Sequence, residues 1–366
     1  MVLNHVIWNP DPEIFSIGSL AVRWYGLLFA LSFVLGYIIM QQFFNKEGVP
    51  LKLLDKLATY MVISTIIGAR LGHCLFYEPD KYLSNPIDIL KIWEGGLASH
   101  GAAIGILLAL YLFSRKTKKP YFWTVDRIVI VVALAGFFIR AGNLMNSEIY
   151  GDETKKNYGF VYVRDFDENL KSIFNLEKTD YIKPSDKALH KDFNFPVEVQ
   201  MKFPSNVTDT NTIALAMQRN VRWMLSPPQA IHLYNLYWPE TQAFEYNMQT
   251  ANRTGIQLDF TVASVPRHPT QIYEALAYLL IFLLLLGFYY MKNGKPVRGV
   301  LFAWFLILIF TARFIIEYFK MPQVAFEEGM TLNMGQWLSI PFVLAGVIIL
   351  FYSYHLNKKR IGKVNN

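Results

Sequence analysis

Seven apolar runs, at 17–40, 57–76, 97–113, 125–145, 270–291, 299–319 and 334–356, constrain this chain more than any other feature. Each approaches the ~20 residues that an α-helix needs to cross a hydrocarbon core, the third being the shortest. A backbone in lipid must satisfy its own hydrogen bonds, so runs of this length read as helices. Hydrophobic residues make up 53% of the 366, a share that agrees with so many runs. The predicted fold class is an all-α polytopic membrane protein: seven transmembrane helices with a small α+β extracytoplasmic insertion. The expected organisation is a membrane domain over 1–150 with spans one to four, a head insertion over 151–266, and a membrane domain over 267–366 with spans five to seven and a tail.

The formal charge of +7 is distributed in short clusters between the runs, which argues against nucleic acid as a partner. Lys46, Lys52 and Lys56 follow span one, and Arg115, Lys116, Lys118 and Lys119 follow span three. Lys292, Lys295 and Arg298 follow span five, and Lys358, Lys359, Arg360 and Lys363 follow span seven. Basic residues mark cytoplasmic connections, so the N-terminus is expected outside and the C-terminus in the cytoplasm. The N-terminus lacks the basic flank of a secretory signal, and no cleavage is expected. The single cysteine, Cys74, excludes an intramolecular disulfide and reads as packing within a span.

The stretch from 151 to 267 is too long for a loop and is expected to carry its own structure. Val197, Val199, Met201 and Phe203 alternate with polar residues, a strand pattern. Segments 160–163 and 256–262 read as further strands. A helix is expected over 212–225, capped by Asn211 or Thr212, and a second from Pro227-Pro228 through Trp238. His190, His232, Trp223 and Trp238 of this head read as packing residues.

The polar residues inside the spans collect toward one end. Arg23 and Tyr25 stand near the outer end of span one, Arg70 and His73 near that of span two. Glu94, Ser99, His100 and Gly101 open span three, with Gly95, Gly96 and Gly105 nearby. Arg140, Asn143, Asn146 and Glu148 close span four. Arg267, His268, Gln271, Tyr273 and Glu274 open span five, and Arg313 and Glu317 fall four apart near the end of span six. At 1.5 Å per residue Arg313 lies roughly 21 Å into a core ~30 Å thick. An Arg within a span costs about 2.5–3.5 kcal/mol on insertion scales, so it normally faces a partner, a cavity or a substrate. Guanidinium grips phosphate through paired hydrogen bonds, and an anion at this depth is most simply a phospholipid headgroup. Arg–carboxylate clamps between helices are the structural alternative. Glu317 is expected to hold Arg313. His100 is the imidazole placed to take a proton near neutral pH. No spacing of Cys, His or carboxylates reads as a metal site, and no glycine-rich phosphate loop follows a strand.

Five motifs carry a resemblance: Val22-Arg-Trp-Tyr-Gly26, Gly95-Gly-Leu-Ala-Ser-His-Gly-Ala-Ala-Ile-Gly105, Arg140-Ala-Gly-Asn-Leu-Met-Asn-Ser-Glu-Ile-Tyr-Gly151, Arg267-His-Pro-Thr-Gln-Ile-Tyr-Glu274 and Arg313-Phe-Ile-Ile-Glu317. In this order, over a seven-span frame, the chain resembles the prolipoprotein diacylglyceryl transferase family. It departs from the family's pattern at Ala102, where a second glycine usually follows His-Gly, and at Ile139, where a glycine usually precedes the arginine. Ile309 stands where a tyrosine is common, one turn before Arg313, and the outer insertion is far longer than in many members.

The resemblance implies a phosphatidylglycerol–prolipoprotein diacylglyceryl transferase of the bacterial inner membrane, acting in lipoprotein biosynthesis. It would move the diacylglyceryl group to the lipobox cysteine thiol of a prolipoprotein, form a thioether and release glycerol phosphate. No cofactor or metal is expected, because the lipid carries its own leaving group. The implied catalytic residues are His100, Arg140 and Arg313. Phosphatidylglycerol would be bound by Tyr25, Arg140, Asn143, Asn146, Glu148, Gly151, Arg313 and Glu317, with Gly101, Arg70, Arg267 and Glu274 in support. The thiolate is the nucleophile; either His100 takes the thiol proton or Arg140 lowers the thiol pKa directly. Two other classes compete: an anionic-solute transporter, which needs polar groups across the whole membrane, and a non-catalytic phospholipid-binding scaffold.

Overall fold

A computed structural model of the chain describes residues 4–18, 20–92, 95–96, 98–156, 158–184, 195–239, 243–251, 255–321, 327 and 330–364. Glu94 and His190 lie outside the described residues. The chain forms two compact units, each discontinuous in sequence. A helical unit takes 26–140, 274–317 and 329–366, and a head unit takes 1–25, 141–273 and 318–328.

Three strands open the chain, β1 (Asn4–Trp8), β2 (Glu13–Ile17) and β3 (Leu20–Arg23), followed by the helices α1 (Trp24–Lys46) and α2 (Leu51–Phe76). The short α3 (Pro79–Ser84) precedes α4 (Ser99–Thr117) and α5 (Tyr121–Met145). Next come β4 (Tyr158–Tyr162), α6 (Arg164–Ile173), β5 (Lys178–Ile182), β6 (Val197–Lys202), α7 (Thr210–Ala216), α8 (Arg222–Met224) and α9 (Gln229–Leu233). The strands β7 (Leu236–Tyr237), β8 (Asn247–Ala251) and β9 (Gly255–Ser264) then lead to α10 (Thr270–Met291), α11 (Val300–Ile316) and α12 (Met334–Val364).

Among the described residues, α1, α2, α5, α10, α11 with its continuation to Phe319, and α12 are long and apolar enough to cross a membrane. The chain is a multi-pass membrane protein with a strand-containing insertion. The third expected span forms the 19-residue helix α4, made less apolar by its glycines, Ser99, His100, Arg115 and Lys116. The first run begins at residue 17, yet its helix begins at Trp24. Residues 13–17 and 20–23 pair instead as antiparallel strands β2 and β3, and Trp24 N donates to Pro12 O at 3.0 Å.

In the helical unit α2 and α4 meet through glycine. A Cβ on Gly101 would strike the Gly68 carbonyl and the Gly72 backbone, and one on Gly105 would strike Ser64 O. Small residues let helices approach closely in lipid, where no hydrophobic force drives them together. Cys74 is buried here as a free thiol. Elsewhere the unit is tied by a buried polar knot. Arg127 reaches both Glu47 oxygens at 3.0 Å and Gly294 O at 3.1 Å, while Tyr289 and Trp123 donate to the same carboxylate at 2.6 and 2.8 Å. Asp126 accepts from Gly299 N at 2.7 Å and Phe302 N at 2.9 Å, satisfying first-turn donors of α11 that have no intrahelical partner.

The head unit contains an antiparallel sheet of order β5-β6-β9-β7, with β8 also on β9, and a parallel β1–β4 pair. Val197, Val199 and Met201 of β6 are fully buried, as the alternation predicts, and Val199 pairs with Phe260. They pack with Phe166, Leu170, Val221 and Leu258. The expected helix over 212–225 starts earlier, because Asp209 is its cap: Oδ1 accepts from Asn211 N and Thr212 N, and Thr212 Oγ donates to Oδ2. The helix expected to run through Trp238 stops at Leu233. Asn235 turns left-handed at φ 55°, donates to Tyr162 O and accepts from Arg267 Nε, and the chain continues as β7.

Candidate functional site

Arg140 lies on α5 and Glu274 near the start of α10. Arg140 Nε stands 2.8 Å from Glu274 Oε2, with Glu274 wholly buried and Arg140 partly accessible. The Tyr278 hydroxyl, one turn along α10, donates to Glu274 Oε1 at 3.3 Å. It also hydrogen-bonds Arg140 and lies within electrostatic reach of Arg313 on α11. Two guanidinium groups and one carboxylate therefore bear on one phenol, an arrangement with positive charge in excess. Arg313 Nε is buried with no hydrogen-bond partner among the described residues. A buried charged donor without a partner is costly, and an anion would supply the missing acceptor.

Glu317 is buried too. Its carboxylate lies against Gly335 in the first turn of α12, where a side chain would collide with it. A helix N-terminus favours negative charge, which suits a carboxylate at this place. Asn333 Nδ2 donates to Glu317 O at 3.3 Å and fixes this corner.

His100 sits in the first turn of α4, exposed, with its ring edge-on to Phe76 at 5.3 Å and tilted against Tyr77 at 5.7 Å. The glycine crossing holds it there, because Gly101 is the next residue. Beside it an apolar groove of ≈ 570 Å³ runs along α2 and α4, from Thr59 and Leu112 to Phe76 and Gly101. Arg70 is buried and committed to carbonyls, with Nε on Ile89 O at 2.9 Å and its Nη groups on Gly95 O and Asp88 O at 2.6 Å. It secures the segment that precedes α4 and does not present a fork to a ligand.

The head unit holds the remaining predicted residues. Asn143 and Asn146 both donate to Glu148 Oε1, at 2.7 and 3.2 Å, and Gln271 Nε2 donates to Glu148 O at 2.7 Å. The Tyr25 ring packs on Gly142, where a Cβ would not fit. Gly151 bridges to Lys320, and Thr270 Oγ donates to Ile149 O at 2.9 Å. Arg267, 3% exposed, is spent on Asn235 Oδ1 at 2.8 Å and Ile231 O at 2.9 Å, so its role is to hold the head together. The sequence reading missed Tyr278, an aromatic residue in an apolar helix whose only signal was its i, i+4 spacing from Glu274.

Two arginines at partly buried positions of apolar helices, both within electrostatic reach of Tyr278, and an apolar groove beside an exposed imidazole define a class: an integral membrane protein with a polar cluster among its apolar helices. The family profile of the prolipoprotein diacylglyceryl transferases matches residues 12–352. A phosphatidylglycerol–prolipoprotein diacylglyceryl transferase of Tolumonas auensis is 39% identical over 349 residues, covering 95% of this chain and 97% of that one. Proteins with the same name from Porphyromonas gingivalis (34% over 352 residues, 94% and 93% covered) and Chloroherpeton thalassium (32% over 351 residues, 96% and 95% covered) are also similar. The chain belongs to the prolipoprotein diacylglyceryl transferase family.

Proposed function

We propose that the chain transfers the diacylglyceryl group of phosphatidylglycerol to the lipobox cysteine thiol of a prolipoprotein. The thiolate sulfur attacks the glyceryl carbon bonded to the phosphate oxygen. The C–O bond breaks, the C–S bond of the thioether forms, and glycerol phosphate leaves with the electron pair. The thiol proton goes to a base, for which His100 is the candidate.

Arg140 and Arg313 bind the headgroup phosphate and hold it more strongly as charge gathers on the leaving oxygen. Asn143, Asn146 and Glu148 orient the headgroup, and Tyr25 contacts a glycerol or phosphate oxygen. The apolar groove along α2 and α4 suits an acyl chain. The placement is the bacterial inner membrane, with seven spans, the N-terminus extracytoplasmic and the C-terminus cytoplasmic, as the basic clusters indicate. The observation that carries this reading is the pair of arginines: Arg313 Nε is buried without a hydrogen-bond partner among the described residues, and Tyr278 lies within reach of both charges. The test is transfer of labelled phosphatidylglycerol to a lipobox peptide in membranes. Arg140→Ala and Arg313→Ala should each lower turnover about 100–1000-fold, the usual loss for a donor to a developing oxyanion. Anion flux in liposomes without any transfer would replace this reading with a transporter.

A further inference from the structure

We propose that Tyr278 is a positioning residue for the transfer: its hydroxyl sets the direction of the Arg140 guanidinium between Glu274 and the phosphate. This rests on the reading of Arg140 and Arg313 as the phosphate site. Two i, i+4 pairs face each other here. On α5 these are Gly136 and Arg140; on α10 they are Tyr278 and Glu274. Arg140 meets Glu274. One turn away Gly136 meets the Tyr278 ring so closely that an added Cβ would lie 2.9 Å from Cδ2. The glycine cuts a slot in α5, and the ring that fills it delivers its hydroxyl one turn along, beside the arginine.

Chemistry fixes the hydroxyl's orientation. Glu274 Oε1 accepts its proton at 3.3 Å, and guanidinium has donors alone, so the phenol oxygen turns its lone pairs to Arg140. A neutral group with this fixed dipole lies within reach of two cations without cancelling either. It requires no reorganisation as negative charge develops on the leaving oxygen. Ile309, one turn before Arg313, packs in the apolar core and has no hydroxyl to offer, so the phenol at this pair comes from α10.

Tyr278→Phe keeps the ring in its slot and removes the hydroxyl. In purified full-length protein, thermal unfolding should change little. The kcat for transfer from phosphatidylglycerol to a lipobox peptide should fall ~10–100-fold, the worth of a hydrogen bond to a charged group. KM for the lipid should stay within about threefold, because the lost interaction matters in the transition state. Gly136→Ala, which crowds the ring but leaves the hydroxyl present, should lower kcat in the same way. A kcat for Tyr278→Phe within threefold of the parent, or a loss carried by KM alone, overturns the proposal. Undiminished transfer in Arg140→Ala and Arg313→Ala would instead overturn the phosphate-site reading beneath it.

Discussion

Glu274, wholly buried, holds its Oε2 2.8 Å from Arg140 Nε, joining α10 to α5 in an ion pair that is partly open on the arginine side. Such a pair stabilises little on balance, because desolvating two charges offsets most of their attraction. Breaking it is another matter. Arg140→Met leaves a buried carboxylate and Glu274→Leu takes away the carboxylate that faces Arg140, so each single variant should lose about 3–5 kcal/mol. The double variant should recover most of that loss in thermal unfolding while transferring no lipid. A double variant as unstable as either single one would mean that the two side chains do not act as a pair.

The choice between His100 as base and Arg140 as direct activator of the thiol can be made with pH. A free thiol has a pKa near 8.5, so raising the pH from 7 to 9 increases its thiolate fraction roughly 25-fold. If His100 takes the proton, His100→Ala should lose most transfer at pH 7 and regain a large part at pH 9. Arg140→Ala should gain far less if, as proposed, this arginine binds the phosphate. Measured rates of His100→Ala that stay equally depressed at both pH values would remove the imidazole from the proton transfer.

Much of this arrangement could be read from residue order. Apolar runs and the charges that interrupt them are one-dimensional signals, so the helices and the membership of Arg140, Arg313 and Glu274 in a polar group were legible. Their partners were not. Arg70 and Arg313 look alike in sequence, yet Arg70 is absorbed by the carbonyls of Asp88, Ile89 and Gly95, and Arg313 Nε has no partner among the described residues. Only tertiary structure separates those fates. The same holds in the head unit. The β1–β4 pair joins residues 4–8 to 158–162, a register that no local pattern encodes. The end of α9 is set by Asn235, whose left-handed turn depends on Tyr162 and Arg267. The cap at Asp209 was misplaced because Asn211 and Thr212 are themselves good capping types.

The crossing of α2 and α4 is backbone on backbone, so its glycines should tolerate no side chain. A methyl at Gly101 or Gly105 meets carbonyl and Cα atoms of the facing helix, which cannot rotate away as a side chain would. Gly101→Ala and Gly68→Ala should each cost ~1–3 kcal/mol, the usual penalty for overpacking. Because His100 precedes Gly101, the same variants should also lower transfer. Gly287→Ala, where among the described residues nothing beyond the helix's own backbone and its chain neighbours lies within 4 Å of the added Cβ, is the control and should leave both properties unchanged. Equal unfolding temperatures for Gly101→Ala and Gly287→Ala would show that the helices can separate without loss.

His268 gives the head unit a pH dependence of definite sign. Burial lowers its pKa below the ordinary value of 6.5, and the nearby Lys156 lowers it further, against a smaller opposing pull from Asp152. The ring lies against Phe319 at 5.1 Å, with Nδ1 3.2 Å from the Tyr273 hydroxyl. In the window between this depressed folded value and the unfolded value, the unfolded chain binds a proton that the folded one refuses. The contribution of His268 is therefore complete above about pH 6.5 and is lost as the pH falls below it. His268→Gln has no proton to take up. Between pH 7.5 and 5.5 the parent's unfolding temperature should drop further than the variant's, with acidic groups common to both cancelling in the comparison. A steeper drop in His268→Gln would reverse the sign and show that the fold favours the protonated ring.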